Sequence, residues 1–202
     1  VSYEYDIFTH FREYLMGKIP LARYAEYVNQ QETIYPDNYV KLRYLENHDN
    51  LRASFIIPDE TALLNWTAFL YFQKGMVLLY GGQEVGCAHL PSLFDKDPVN
   101  WDFAADRSEQ LRYFYTMKQN PLITNGAYHV QAMIDDILYA TYSSKEKQLI
   151  GIFSLKGASS LVTVAAPDGI YVNLADGSSV EVKFNHICCH GVPIIFETSQ
   201  VE

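Results

Sequence analysis

The spacing of apolar residues changes once along the chain, near residue 125. Before that point, stretches with a helical period alternate with short apolar runs. Phe8, Phe11, Tyr14 and Leu15 fall on one helical face. Pro20 suits the first position of a second helix, with Leu21, Tyr24, Ala25 and Val28 on its inner side. Pro36 breaks that pattern, and Val40 to Leu45 reads as a strand. Asp59 is a fitting N-cap for a helix over 60–74, which Gly75 ends. Residues 76–80 form a continuous apolar run, as expected of a parallel strand buried on both faces, and Gly81-Gly82 closes it. A last helix is expected over 106–120, stopped by Pro121.

Beyond Asn125-Gly126 the period becomes two. Strands are expected over 127–133, 137–142, 148–155, 160–165, 169–174, 178–184 and 192–197. Turn signals at Pro167-Asp168-Gly169, Asp176-Gly177 and Gly191 separate them. Short strands at this spacing predict an antiparallel β-sandwich over residues 125–202. Residues 1–124 read as α/β with two or three strands, too few for a closed (β/α)8 barrel of roughly 250 residues. They are either a small open sheet or the last third to half of such a barrel.

Composition narrows the partners. Among 202 residues, 49% are hydrophobic and 19% charged, which supports a globular core and excludes a disordered chain. The net charge of -9 argues against nucleic acid and against anionic membrane surfaces, because phosphate binding needs a basic face. No apolar run approaches the roughly 18 residues of a membrane span. The cysteines, Cys87, Cys188 and Cys189, are odd in number and two are adjacent, which disfavours a disulfide framework and suggests a reducing, cytoplasmic setting. The segment from Val1 to Asp6 lacks the basic start and apolar stretch of a signal peptide.

Candidate chemistry concentrates in Arg43-Tyr44-Leu45-Glu46-Asn47-His48-Asp49-Asn50-Leu51-Arg52, where a strand runs out into titratable side chains. In parallel α/β folds ligands bind at the carboxyl ends of strands. An Asp beside a His at such a rim can hold sugar hydroxyls. The same residues also suit a capped turn.

Asn47-His48-Asp49 after a strand resembles a conserved region of the α-amylase family, glycoside hydrolase family 13. Two further stretches resemble that family in the same order. The run from Gly75 to Glu84 looks like the last barrel strand with its Gly-Gln-Glu turn, and Leu93 to Trp101 looks like the loop that follows it. Tyr3 to Ile7 resembles the start of the sixth strand region. The resemblance implies the last part of a (β/α)8 barrel, about strands six to eight, followed by a β-sandwich C-terminal domain. It implies retaining chemistry on α-glucosidic bonds of an α-glucan or maltooligosaccharide. Asp49 would be the carboxylate that stabilises the oxocarbenium-like transition state, His48 would bind the same sugar, Asn47 would position the loop, and Arg52 would lie at the substrate site. The family's Gly-x-Arg-x-Asp nucleophile pattern does not occur in this chain. Nucleophile, acid/base and any calcium ligands are thus expected upstream, so the chain alone should be inactive, with no cofactor of its own. The expected partners are the sugar and the N-terminal part of the same barrel. Without the latter, an apolar face on the Val40–Leu45 side would need cover, for example from a homo-oligomer. The alternative is a non-catalytic scaffold or a sugar-binding module, against which the intact triplet argues.

Other clusters have plainer expectations. Gln83 and Glu84 should hydrogen-bond backbone at the rim rather than pair with Asp49 as an acid/base couple, and Asp95 and Asp97 suit a turn before Pro98 as well as an outer sugar subsite. His186-Ile187-Cys188-Cys189-His190 has metal-ligand types, but on one strand three ligands cannot close around a tetrahedral ion, so buried residues are expected. Cys87 lacks an activating base unless His89 serves. Trp101, Tyr113 and Tyr115 suit sugar stacking, but helical spacing favours core for the tyrosines. Asn65-Trp66-Thr67 fits a glycosylation pattern inside a predicted helix and is discounted.

Overall fold

The computed structural model describes residues 1–102 and 105–200. Phe103, Ala104, Val201 and Glu202, which fall inside the two expected domains, lie outside the described residues.

The N-terminal half opens with β1 (Ser2–Tyr3), α1 (Tyr5–Leu15), α2 (Leu21–Ile34) and β2 (Lys41–Arg43). It continues with α3 (Ala53–Ile56), α4 (Glu60–Phe72) and β3 (Met76–Val77). After a 3-10 turn (Gln83–Val85) come α5 (Ser108–Lys118) and α6 (Pro121–Asn125). Strands β1, β2 and β3 form a parallel sheet in that order, with Ser2 opposite Lys41 and Leu42 opposite Met76. Each crossover carries helices, as parallel pairing requires. Local chemistry sets the helix starts. Pro20 precedes α2 in an extended conformation, and Asp59 Oδ1 accepts the Ala62 N–H (2.7 Å) at the start of α4.

Two expectations for this sheet are corrected. The run over 76–80 makes only a two-residue strand, with Met76 and Leu79 exposed, because β3 has a neighbour on one side alone. The β2 side is not an open apolar face: Tyr44 and Leu45 are buried, and the inward positions are charged. Lys41 pairs with Asp6 (3.2 Å), and fully buried Arg43 pairs with Glu4 and donates to Gln31 Oε1 (2.7 Å) and the Lys74 carbonyl (2.7 Å). A pair without solvent persists only when its hydrogen bonds are met, and these partners meet most of them.

The second half holds two four-stranded antiparallel sheets. One is ordered β11 (Ile194–Ser199), β6 (Lys147–Ser154), β5 (Ile137–Ser143), β4 (Ala127–Ala132). The other is ordered β7 (Ser159–Thr163), β10 (His186–His190), β9 (Ser179–Lys183), β8 (Gly169–Val172). Ile137, Ile150, Ile152 and Phe196 of the first sheet meet Val162, Val182 and Ile187 of the second, the inner layer of a sandwich. Alternate residues of the first sheet, Leu138, Ala140, Tyr142 and Phe153, pack instead on helices. That sheet is therefore buried on both faces. Its helical cover includes α2, whose Asn29 amide donates to the Val130 carbonyl of β4 (2.6 Å), and α4, which is buried nearly all round. Phe69 and Phe72 lie 5.3 and 5.4 Å from the Phe153 ring, and the Tyr142 hydroxyl donates to the Phe72 carbonyl (3.0 Å). Asn65 of α4 is buried, so its glycosylation pattern has no accessible acceptor.

Strand β10 is absent from the sequence-based strand set. Its alternation is present, but two adjacent cysteines blur it. Ile187 and Cys189 are buried, whereas Cys188 and His190 are exposed, which corrects the expectation of buried residues there.

Candidate functional site

Strand β2 delivers the chain to its carboxyl-end loop, where Glu46 and Asn47 are buried. Asn47 Oδ1 accepts the Asp49 N–H (2.9 Å) and an Asn50 amide hydrogen (2.7 Å), an Asx turn that orders the loop. The turn leaves His48 and Asp49 outermost. Their side chains are 53% and 51% exposed, with His48 Nε2 3.3 Å from Asp49 Oδ2. Among the described residues, His48 is the side chain that meets the Asp49 carboxylate, which otherwise faces solvent.

Arg52 sits beneath, fully buried. Its Nη1 donates to Glu46 Oε1 (2.6 Å) and to the Gly81 carbonyl (3.0 Å), and its Nε donates to the His89 carbonyl (3.0 Å). Its guanidinium lies over the Tyr80 ring at 4.3 Å. Glu46 Oε2 accepts the Ala53 N–H (2.6 Å). Burial pushes the Glu46 carboxyl above its usual range, and Arg52 and the Ala53 N–H oppose that shift. Arg52 thus fastens the loop after β2 to the segment after β3. The structure brings His48 and Asp49 together at the surface and sets Asn47 and Arg52 under them. The sequence pattern assigns Glu46 no role of its own. Its signal is an acid and a base flanking the polar triplet.

The segment after β3 is held from within. Gln83 Oε1 accepts the Tyr80 N–H (3.3 Å), and Glu84 Oε2 accepts the Gly82 N–H (2.8 Å). Gly82 has φ +97°, and a Cβ there would lie 2.9 Å from the Val99 side chain and 3.1 Å from Cys87. The loop beyond is tied by its carboxylates. Asp97 accepts the Ser92 N–H (2.8 Å) and contacts His89 Nε2 (2.8 Å), and Asp95 contacts the Ser92 hydroxyl (3.3 Å). The His89 ring is thereby engaged with Asp97, while buried Cys87 points its thiol at the His89 carbonyl (3.5 Å). Trp101 is exposed. Tyr113 and Tyr115 are exposed as well, against the expectation of core, because Phe114 and Met117 take the inner face of α5. Among the described residues, no group of three or more His, Cys, Asp or Glu side chains converges as a metal site.

Residues 129–196 match the model of the bacterial α-amylase C-terminal domain. The chain is 32% identical to an α-amylase from Lactobacillus plantarum, whose crystal structure superposes with a TM-score of 0.92 over 96% of this chain and 47% of that one. A maltogenic α-amylase from Thermotoga neapolitana is 21% identical, with a TM-score of 0.83 over 98% of this chain and 51% of that one. Alpha-amylase 2 of Dictyoglomus thermophilum is 18% identical over 87% of this chain and 33% of its own length. The chain thus spans about half the length of these solved relatives and a third of the curated one. Likeness in sequence and likeness in fold agree, and the chain corresponds to the C-terminal part of an α-amylase-like protein.

Proposed function

We propose that this chain supplies one rim of the sugar site and the C-terminal β-domain of a retaining hydrolase acting on α-glucosidic bonds of glucans or maltooligosaccharides. In this reading residues 1–124 are about strands six to eight of a (β/α)8 barrel, and residues 125–202 are the β-sandwich. The observation that carries it is the outward, half-exposed Asp49–His48 pair at the carboxyl end of a parallel strand, on a loop locked from below.

Asp49 holds hydroxyls of the reacting sugar and strengthens its grip as the ring flattens toward the transition state. His48 hydrogen-bonds the same sugar. Asn47 fixes the turn, and Arg52 acts through Glu46 and the Gly81 carbonyl by holding the rim in place. Nucleophile and acid/base come from residues outside this chain, so the chain alone is inactive. A calcium ion, if the parent carries one, takes its ligands there too. The N-terminal part of the barrel covers the free edges of β1 and β3.

The test is maltooligosaccharide hydrolysis by the native gene product, whose mass is measured on the same sample. Asp49→Asn should lower kcat about 10²–10³-fold, the usual loss for one transition-state contact, with the melting temperature unchanged. A native product of this length without activity, or a variant with full activity, would overturn the proposal.

A further inference from the structure

Helix α5 begins against the local rules. Its N-cap is Arg107, whose side chain has no acceptor for the first N–H groups of the helix. A cation at a helix N-terminus also opposes the helix dipole. The side-chain bond to this turn comes instead from Asp106, whose Oδ1 accepts the Ser108 N–H (2.9 Å). Asn or Asp at position 107 would serve α5 better. A residue that breaks the preference of its own element points to a role elsewhere.

What the Arg107 guanidinium joins shows that role. Nη2 donates to both oxygens of Glu60 (2.9 and 2.7 Å), in the first turn of α4. Nη1 donates to the Gln83 carbonyl (3.2 Å) and lies 3.5 Å from the Ser54 hydroxyl of α3. The Arg107 N–H donates to the Glu84 carbonyl (3.0 Å). The backbone makes room for this group: Gly86 has φ +74°, and a Cβ there would lie 3.0 Å from Nη2. Glu60 is 70% exposed, so the ion pair by itself contributes little stability. Ser54 lies two residues beyond Arg52, and Gln83 lies two residues beyond Gly81. Arg107 therefore ties together, a second time, the two segments that Arg52 fastens, those following β2 and β3.

We infer that Arg107 is a positioning residue for the Asn47–Asp49 loop. It fixes α3 against the Gln83–Val85 turn, so that Asp49 stays where the reacting sugar meets it. The inference rests on the proposed role of Asp49. Arg107 touches neither the sugar nor Asp49, and its effect passes through Ser54, Gln83 and the Arg52 strut.

Arg107→Met, which keeps the side chain's length and removes its donors, tests this in two ways. The first is amide hydrogen exchange of the 202-residue chain. Exchange should quicken about tenfold at Asp49, Ala53 and Gly82, whose N–H groups bond within the two tied segments. A merely structural role would quicken the most protected amides of β5 and β6 and leave these local openings as they are. The second is maltooligosaccharide hydrolysis by the native gene product, well below its melting temperature. There kcat should fall, by as much as about 10²-fold, with little change in KM. Arg107→Lys, which can still reach the Gln83 carbonyl, should recover part of both. Unchanged exchange at the three amides overturns the inference. So does full kcat in Arg107→Met when Asp49→Asn is impaired. Full kcat in Asp49→Asn overturns the reading of Asp49 instead, so the two failures are distinguishable.

Discussion

Arg52→Met removes the guanidinium beneath the candidate site and keeps most of the side chain's bulk. Four interactions go with it: the ion pair to Glu46, the bonds to the Gly81 and His89 carbonyls, and the stack on Tyr80. Both charges of the pair are fully buried, so the variant leaves an unpaired carboxylate out of water. Such a loss costs about 3–5 kcal/mol. With a urea m-value of about 2–3 kcal/mol/M, the midpoint should fall by about 1–2.5 M. Trp66, in the core with 1% exposure, reports the transition by fluorescence. Adding Glu46→Gln removes the stranded charge, so the double variant should be less destabilised than the sum of the singles by about 1–3 kcal/mol. The pH dependence has a fixed sign. Without Arg52 the Glu46 carboxyl rises further above its ordinary 4.5, and the folded state holds a proton that the unfolded chain has released. Stability of the variant then falls as pH rises above 4.5, and its deficit is larger at pH 8 than at pH 5. A cost under about 1 kcal/mol, or strict additivity of the two substitutions, would refute a load carried by this pair.

Two further outcomes follow from buried groups. Asn65 joins α4 to the β-domain through Nδ2 to the Thr61 and Gly191 carbonyls (2.8 and 2.7 Å) and Oδ1 from the Ser154 N–H (2.8 Å). Asn65→Ala should therefore cost about 2–4 kcal/mol in chemical denaturation, since it strands two buried backbone groups, and a cost near zero would show that water replaces it. Burial, and then the charge of Arg43, bring the Lys118 amine down to about 7. The unfolded chain binds that proton up to about pH 10.5, so stability rises from pH 7 toward 9, with a slope of up to about 1.4 kcal/mol per pH unit. Lys118→Met should flatten the rise, and an unchanged profile would count against the shift.

Much of the local structure is legible along the chain. Asp59 before a run of apolar residues marks the start of α4, and the two-residue period over 137–154 marks β5 and β6. The Asn47-His48-Asp49 loop is legible too, because a strand ending in polar residues is a local pattern. Spacing reports which side of an element is apolar, but not what faces it. Lys41 and Arg43 point inward on β2 because Asp6 and Glu4, 35 and 39 residues away, meet them there. Arg52 is a buried strut rather than a rim residue because the chain returns with the carbonyls of Gly81 and His89, 29 and 37 residues on. β3 is cut to two residues by the lack of a second neighbour, although its sequence is apolar throughout. Phe184 is turned into a left-handed hairpin tip by the register of β9 and β10, against its own preference. Most long elements, the α4 cap and the candidate polar loop are thus local properties of the chain, since they depend on neighbours within a few residues. Which charges are buried, which aromatics stay exposed and which residues support the site follow from the fold alone, because they depend on partners that chain topology brings together from far apart.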